Sequence, residues 1–498
     1  MKLKNLLKNL AGVKKVEGKA SVEIKGLACD SKAIKDGFLF VVLKGSRFNG
    51  SDFIDEAIDR GASAVMLEPA NKDSHTFNRG ATFIYVDDVK HALSHISMAF
   101  YGDLSAKMCL IGVTGTNGKT TTTYLLESLL DKLGKKTGVI GTINYRFGAR
   151  SIPALNTTPG ILDLYSLLSG MYKKGIKTCV IEVSSHSLEQ GRVDTLHFDM
   201  AVFTNLTHEH MDFHKNMKNY IASKAKLFSK IKKGGFAVIN TDDPYSGVII
   251  KKAASEKKAA VVTYGINTGS DIKAKNIDFS SAGLSFDLCY KGNETAINSR
   301  LIGRHNVYNI LAAGACGIVM GMDTQKIALV MKEASAPPGR LEKIDCGQDF
   351  SVFVDYAHTE NGMENVLRAL RELEPGRLIV VFGCGGDRDK AKRPNMGRVS
   401  SELSDKIYIT SDNPRSEDPM SIIAEIKKGI VAGRNNFVVE EDRFKAIDSA
   451  LKEAKKGDIV LVAGKGHETY QVLKNVILPF DDRKAVRKIL CGKYVQKK

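Results

Sequence analysis

Tryptophan is absent from the 498 residues and proline occurs only 11 times, which excludes a proline-rich or collagen-like chain. The eight cysteines are dispersed and never fall as C-x-x-C. A zinc ribbon or a small disulfide scaffold is therefore not expected, and buried free thiols are. No apolar run approaches the roughly 18 to 20 residues that cross a bilayer. The start, MKLKNLLKNLAGVKK, spaces its leucines like a short amphipathic helix, and its lysines interrupt any secretory core. The expectation is a cytoplasmic protein with no membrane span. Repeats, low-complexity tracts and arginine-rich blocks are also missing.

What remains is ordinary globular composition, 43% hydrophobic and 26% charged. At roughly 100 to 200 residues per domain, the length predicts about three domains. Lys and Arg outnumber Asp and Glu by 73 to 56, a net charge of +17. The excess is spread along the whole chain without a stacking-aromatic motif, so anionic small substrates are favoured over nucleic acid.

Three α/β blocks follow, 1–105, 106–336 and 337–498, the fold class being α/β. The first holds the strand-like FLFVVLKG and SAVMLE around the helical DFIDEAIDRGA. The second opens with CLIGV, a Gly/Thr loop and the helical TTTYLLESLLDKLG, then continues with TCVIEV, MAVFTN and FAVIN. This is the pattern of a mostly parallel sheet covered by helices. SAPPGR breaks any helix and marks a hinge. The third block has four strand-like runs, SVFVDY, RLIVVFG, KIYITSD and DIVLVAG, each followed at once by polar or glycine residues. Ligands bind beyond the carboxyl ends of strands in an open parallel sheet, so these four loops should line one crevice.

Gly115, Thr116, Asn117, Gly118, Lys119, Thr120 and Thr121 form a loop between strand and helix whose backbone N–H groups can cradle phosphate. Val113 replaces the first glycine of the strict pattern, making this a variant P-loop. Lys119 would reach phosphate and Thr120 would bind Mg²⁺. Glu182, His210, Asp212 and His214 follow the next two strands and offer oxygen and nitrogen ligands for Mg²⁺ or Mn²⁺. Capping or surface histidines are the plain alternative. Lys224, in YIASKAKLF, reads by itself as a solvated helical lysine.

GTNGKTT, EVSSHSL, NLTHEHMDFH, GRHNVYN, PPGRLE, VDYAHT, GCGGDRDKAKRP, SDNPR and GKGHE occur in this order over nearly the whole chain. Together they resemble the Mur ligase family, in its diaminopimelate-adding branch. The resemblance implies three domains: a UDP-substrate domain, a central ATPase domain and a Rossmann-like domain for the incoming amino acid. It implies ATP as co-substrate, Mg²⁺ as cofactor, and small-molecule partners acting on a monomer. The expected reaction joins meso-diaminopimelate to UDP-N-acetylmuramoyl-L-Ala-D-Glu through an acyl phosphate. Lysine addition by the same chemistry, or a P-loop ATPase switch, are the alternatives.

On this resemblance Lys119, Lys224, His210 and Glu182 are catalytic. Lys224 would carry a carbamate and join Thr120, Glu182 and His210 as metal ligands. Asn306, Arg340 and Asp355 would clasp the nucleotide beside Tyr356 and His358. Cys29, Ser31, Ser46, Arg47 and Phe48 match the uridine side of the sugar-nucleotide site; Asn156, Thr157, Thr158, Ser184, Gln190 and Arg192 match its dipeptide side. Arg388, Asp412, Asn413, Pro414, Arg415, Gly464 and Glu468 match the diaminopimelate site. A guanidinium at 415 would pair with the distal carboxylate of diaminopimelate, which lysine lacks. Taken alone, Arg415 could instead pair with Glu417 or Asp418. The chain departs from the family pattern in THEH, in His305, and in HTENG after Asp355.

Overall fold

Alternation decides the layers. In the strand Leu378–Phe382 every side chain is buried, with Leu378, Val380 and Phe382 in one apolar cluster and Ile379 and Val381 in another. A strand with both faces apolar belongs inside a sheet covered on both sides. The computed structural model describes residues 1–45, 49–69, 80–255, 259–434, 436–474 and 476–494. Ser46, Arg47 and Phe48 lie outside the described residues. The chain divides into two compact units, and each is taken by itself.

The first unit comprises Met1–Lys119, Leu130–Ile239 and Asp243–Val262. Its N-terminal sheet runs in the order Val13–Glu17, Thr82–Val86, Ala62–Leu67, Phe38–Val41, Gly26–Ala28, and only the first pairing is antiparallel. The opening segment forms the expected short amphipathic helix. The helix stops at Leu3–Leu7, and Gly12, at φ +79°, turns the chain into the strand Val13–Glu17. The helix is pinned through Leu3 and Leu6, which are buried while its lysines stay exposed.

The second sheet of this unit has Cys109–Thr114 between Phe198–Phe203 and Thr178–Glu182, all parallel. Thr137–Ile140 extends it on one side and Ile231–Asn240 on the other. The strands CLIGV, TCVIEV, MAVFTN and FAVIN fall as expected. The short antiparallel pair Asn144–Phe147 and Arg150–Pro153 was not anticipated.

The second unit comprises Thr120–Leu129, Asn240–Asp242 and Thr263–Lys498. An antiparallel meander, Ile272–Ser280, Gly283–Tyr290 and Asn293–Ser299, precedes the helices Arg304–Val319 and Thr324–Glu333. A six-stranded sheet follows in the order Glu342–Lys343, Ser351–Asp355, Ile459–Ala463, Leu378–Phe382, Lys406–Ile409, Phe437–Val439. The four strands expected from the sequence are its adjacent, parallel centre. Their following loops therefore leave one edge together. One cysteine expectation is corrected: Cys346 and Cys491 form a disulfide with Cα atoms 5.6 Å apart, tying the loop before Ser351–Asp355 to the helix Asp482–Tyr494. The other six cysteines are free.

Candidate active site

In the first unit the Gly/Thr loop emerges from Cys109–Thr114 and is braced by the loop that follows Phe198–Phe203. Thr204 Oγ1 donates to the Asn117 carbonyl at 2.6 Å, and Asn117 N donates to Asn205 Oδ1 at 2.9 Å. Thr207 N donates to Thr116 Oγ1 at 3.0 Å. A Cβ on Gly115 would strike Thr204, so glycine is required for this approach. Lys119 folds back onto its own loop, donating to the Gly115 and Thr116 carbonyls at 2.9 and 2.8 Å. A phosphate would have to draw it off those weak acceptors.

Lys224 is not the solvated residue its composition suggests. It is 1% exposed on the helix Met217–Ser229, donates to the same Gly115 carbonyl at 2.8 Å, and lies over the Tyr220 ring at 4.5 Å. Burial, and then the Lys119 ammonium, hold its amine well below the ordinary lysine value. The neutral amine is a nucleophile; the ammonium is not.

Glu182, at the end of Thr178–Glu182, is 1% exposed and accepts from Thr142 N and Oγ1 at 3.1 and 2.8 Å. Thr142 Oγ1 also meets Thr157 Oγ1 at 3.1 Å. Thr158 Oγ1 donates to the Glu182 carbonyl and accepts from Ser184 N at 3.1 Å. Arg192 donates to the Thr158 carbonyl at 2.6 Å and to Gln190 Oε1 at 2.6 and 3.0 Å. Tyr145 Oη donates to the Asn156 carbonyl. Of the residues expected on the dipeptide side, Thr157, Thr158, Ser184, Gln190 and Arg192 thus form one connected network that ends on Glu182, while Asn156 is held separately by Tyr145.

His210 sits at φ +58° ahead of the short helix Met211–His214, with its ring 6.2 Å from that of Tyr220. His214 turns inward, its Nε2 2.9 Å from Ser185 Oγ, and Asp212 is exposed. Among the described residues no three His, Cys, Asp or Glu side chains stand together as a ready metal cage. The Glu182 carboxylate and the Thr120 hydroxyl, both buried, are hard oxygen donors that suit Mg²⁺. An unmodified lysine amine does not. At the other expected substrate position, Ser31 donates to Glu56 at 2.7 Å, and burial pushes the Cys29 thiol up to about 12.

In the second unit Asp355 accepts from Leu341 N and Ala357 N, both at 2.7 Å, so it holds the backbone that follows Pro337, Pro338 and Gly339 as well as ending its strand. Burial raises its carboxyl, which the Arg340 charge opposes. Arg340 lies 4.8 Å over the Tyr356 ring, and His358 and His467 flank the same ring at 4.6 and 4.8 Å. Asn306 is turned inward, bonded to the Ile302 carbonyl and to Asn309.

The loops after Leu378–Phe382 and Lys406–Ile409 pack backbone on backbone. A Cβ on Gly383 would strike the Thr410 carbonyl, and one on Gly386 the Pro414 carbonyl. Asp387 and Arg415 both sit at φ +53°, a left-handed conformation that costs a non-glycine residue of order 1 to 3 kcal/mol. Arg415 does not pair with Glu417 or Asp418. Glu417 is held by the buried Arg393 at 2.8 and 2.9 Å, which lowers its carboxyl to about 2, and Asp418 caps a helix. Among the described residues the Arg415 guanidinium donates to the Gly386 carbonyl, at 2.6 Å. Arg388 is exposed, and neither guanidinium has a carboxylate partner among the described residues. The strand pair Tyr470–Leu473 and Val476–Pro479, missed in the sequence, secures this loop: Arg415 N donates to the Val472 carbonyl and Lys474 N to the Arg415 carbonyl.

Comparison with known proteins follows the same order along the chain. Three family models match: the Mur ligase family catalytic domain over 23–101, the Mur ligase middle domain over 113–317, and the Mur ligase glutamate ligase domain over 339–466. The UDP-N-acetylmuramoyl-L-alanyl-D-glutamate--2,6-diaminopimelate ligase of Caldanaerobacter subterraneus is 43% identical over 98% of this chain and 99% of its own. The ligase of that name from Solibacter usitatus is 46% identical over 95% of this chain and 94% of its own. A solved structure of a ligase of that name has a TM-score of 0.71 at 30% identity, covering 99% of both chains. MurF from Acinetobacter baumannii, 18% identical with a TM-score of 0.66 over 99% of this chain and 98% of its own, shares the fold.

Proposed function

The chain belongs to the Mur ligase family, and from that premise we propose that it joins meso-diaminopimelate to UDP-N-acetylmuramoyl-L-Ala-D-Glu at the expense of ATP. The work would be done in the cytoplasm by three domains, 1–105 for the UDP-substrate, 106–336 for ATP and 337–498 for the amino acid.

A carboxylate is a poor electrophile, so its oxygen must first become a leaving group. The D-Glu carboxylate attacks the γ-phosphorus of ATP, and the bond to the bridging oxygen breaks to release ADP. The diaminopimelate amine then attacks the acyl phosphate, losing a proton and expelling phosphate to leave the amide. Two anions have to meet, so charge neutralisation and alignment carry the rate. Lys119 and the backbone N–H groups of Gly115–Thr121 would hold the phosphates. Arg192, Gln190, Asn156, Thr157, Thr158 and Ser184 would orient the dipeptide, and Asn306, Arg340 and Asp355 the nucleotide. The neutral amine of Lys224 can add CO₂ and lose a proton, turning a nitrogen into a carbamate. With that carbamate, Thr120, Glu182 and His210 would hold Mg²⁺, which when bound neutralises charge on the transferring phosphoryl group.

The observation that supports the choice of amino acid is that, among the described residues, neither the Arg388 nor the Arg415 guanidinium is hydrogen-bonded or ion-paired to a carboxylate; Arg415 reaches the Gly386 carbonyl and acts on Asp387 only through its charge. A ligand with a distal carboxylate completes that site, and lysine leaves it unpaired. The test is ADP release with each substrate omitted in turn, followed by meso-diaminopimelate, lysine and ornithine as acceptors. Turnover without acceptor, or equal use of lysine, would defeat the proposal.

A further inference from the structure

Lys465 lies between two glycines with left-handed backbones, Gly464 at φ +111° and Gly466 at φ +53°. A Cβ on the first would crowd Asp412 and on the second Tyr356 and Gly339. This tight turn sends the lysine inward rather than to solvent. Its side chain is fully buried. Nζ donates to Asn413 Oδ1 and to Glu468 Oε2, both at 3.1 Å, and lies 5.7 Å from the centre of the Tyr470 ring.

The partners are themselves interlocked. Asn413 Nδ2 donates to Glu468 Oε2 at 2.8 Å, and Asn413 Oδ1 also accepts from Val472 N at 2.9 Å. Gln471 Nε2 donates to the Asp412 carbonyl at 2.7 Å. The amide of Asn413 is therefore oriented by chemistry: its oxygen faces two donors and its nitrogen faces the carboxylate. Without the ammonium, Asn413 Oδ1 and Glu468 Oε2 each lose a donor. A buried ammonium costs more than the methionine that could fill the same slot. What it supplies is the placement of two side chains on different loops.

We infer that Lys465 is a positioning residue for amino-acid recognition, acting through Asn413 and Glu468 rather than on the reacting atoms. The inference rests on the reading of these two residues as part of the diaminopimelate site. It places the buried lysine behind the carboxylate that would meet an ammonium of the substrate, fixing which of its oxygens remains available.

Lys465→Met, Glu468→Gln, the double variant and Arg415→Ala are assayed with meso-diaminopimelate and ATP varied separately. Loss of the two ammonium hydrogen bonds should raise the diaminopimelate KM in Lys465→Met roughly tenfold or more while the ATP KM stays within about twofold. In the Glu468→Gln background the same substitution should add clearly less than in the parent, because the route through Glu468 is already cut and only that through Asn413 remains. Fully additive effects, or equal changes in both KM values, would mean a merely structural lysine and would overturn the inference. An unchanged diaminopimelate KM in Lys465→Met, with a raised one in Arg415→Ala, overturns it while the site reading stands. No change in either variant removes the site reading too. Should Lys465→Met fail to fold, Lys465→Gln, which keeps a donor for Asn413 without the charge, gives the same comparison.

Discussion

Replacing Arg443 by methionine should cost more than any single surface change, because of where its charge sits. Arg443 opens the helix Arg443–Glu453, and its side chain and that of Asp482 are both completely buried. Nε and Nη2 donate to the two carboxylate oxygens at 2.8 and 2.7 Å, and Nη2 also reaches the Ala463 carbonyl at 2.8 Å. A weaker bond of 3.4 Å goes to the Ser411 carbonyl. Removing the guanidinium leaves a buried carboxylate without its bonded counter-ion, a loss of roughly 3 to 5 kcal/mol. At about 2 to 4 °C per kcal/mol, the melting midpoint of this unit should fall by roughly 6 to 20 °C. Arg443→Met with Asp482→Leu should recover most of that, since neither charge is then stranded. Ala463 and Ser411 lead directly into Gly464 and Asp412, so the single variant should also raise the diaminopimelate KM before it touches that for ATP. Circular dichroism melts of the three proteins, with the two KM values, decide it. A single variant that melts like the parent, or a double variant no better than the single, would refute the reasoning.

Lys224→Ala should be nearly inactive yet regain part of its rate with added acetate, since the missing group is an anion; full activity without acetate removes the carbamate from the mechanism. Arg415→Ala should raise the diaminopimelate KM roughly ten- to hundredfold, the worth of a charged hydrogen bond, and an unchanged value would break the specificity argument. Acidification should weaken the second unit through His467, whose imidazole is lowered to about 3 by burial first and then by the Arg340, Arg483 and His358 charges. Unfolded histidine protonates near pH 6.5, so between about 6.5 and 3 the unfolded chain binds the extra proton and stability falls as pH falls. His467→Asn should flatten that decline in melting temperature, and an identical slope in the variant would show that another group is responsible.

The strands Leu378–Phe382 and Ile459–Ala463 were legible because a run buried on both faces has no polar interruption, and the loops after them because glycine and charge begin at once. The P-loop was legible from its place between strand and helix. Lys224 was not, because residue type alone places a lysine in solvent; only the helical period shows it on the buried face with Tyr220, Leu227 and Phe228, off the exposed stripe of Lys218, Ala222 and Lys226. The pair Tyr470–Leu473 and Val476–Pro479 escaped notice because it is largely exposed and lacks alternation. Cys346 and Cys491 are 145 residues apart, and spacing alone gives no hint of their pairing. At the start of the chain, leucine spacing was enough to mark the short amphipathic helix Leu3–Leu7.

Anyone wishing to retrain this enzyme toward a different acceptor faces a scaffold problem as well as a chemical one. Asp412–Arg415 cannot be grafted as a cassette, because its shape is moulded by Gly383 and Gly386 beneath it and by the Val472 backbone alongside. The left-handed turn at Arg415 is a torsion that most replacement side chains would relax, and relaxation would swing the whole segment off its seat. A workable exchange would have to import the neighbouring glycine loop and the short strand pair together, treating three distant stretches of sequence as one interchangeable part.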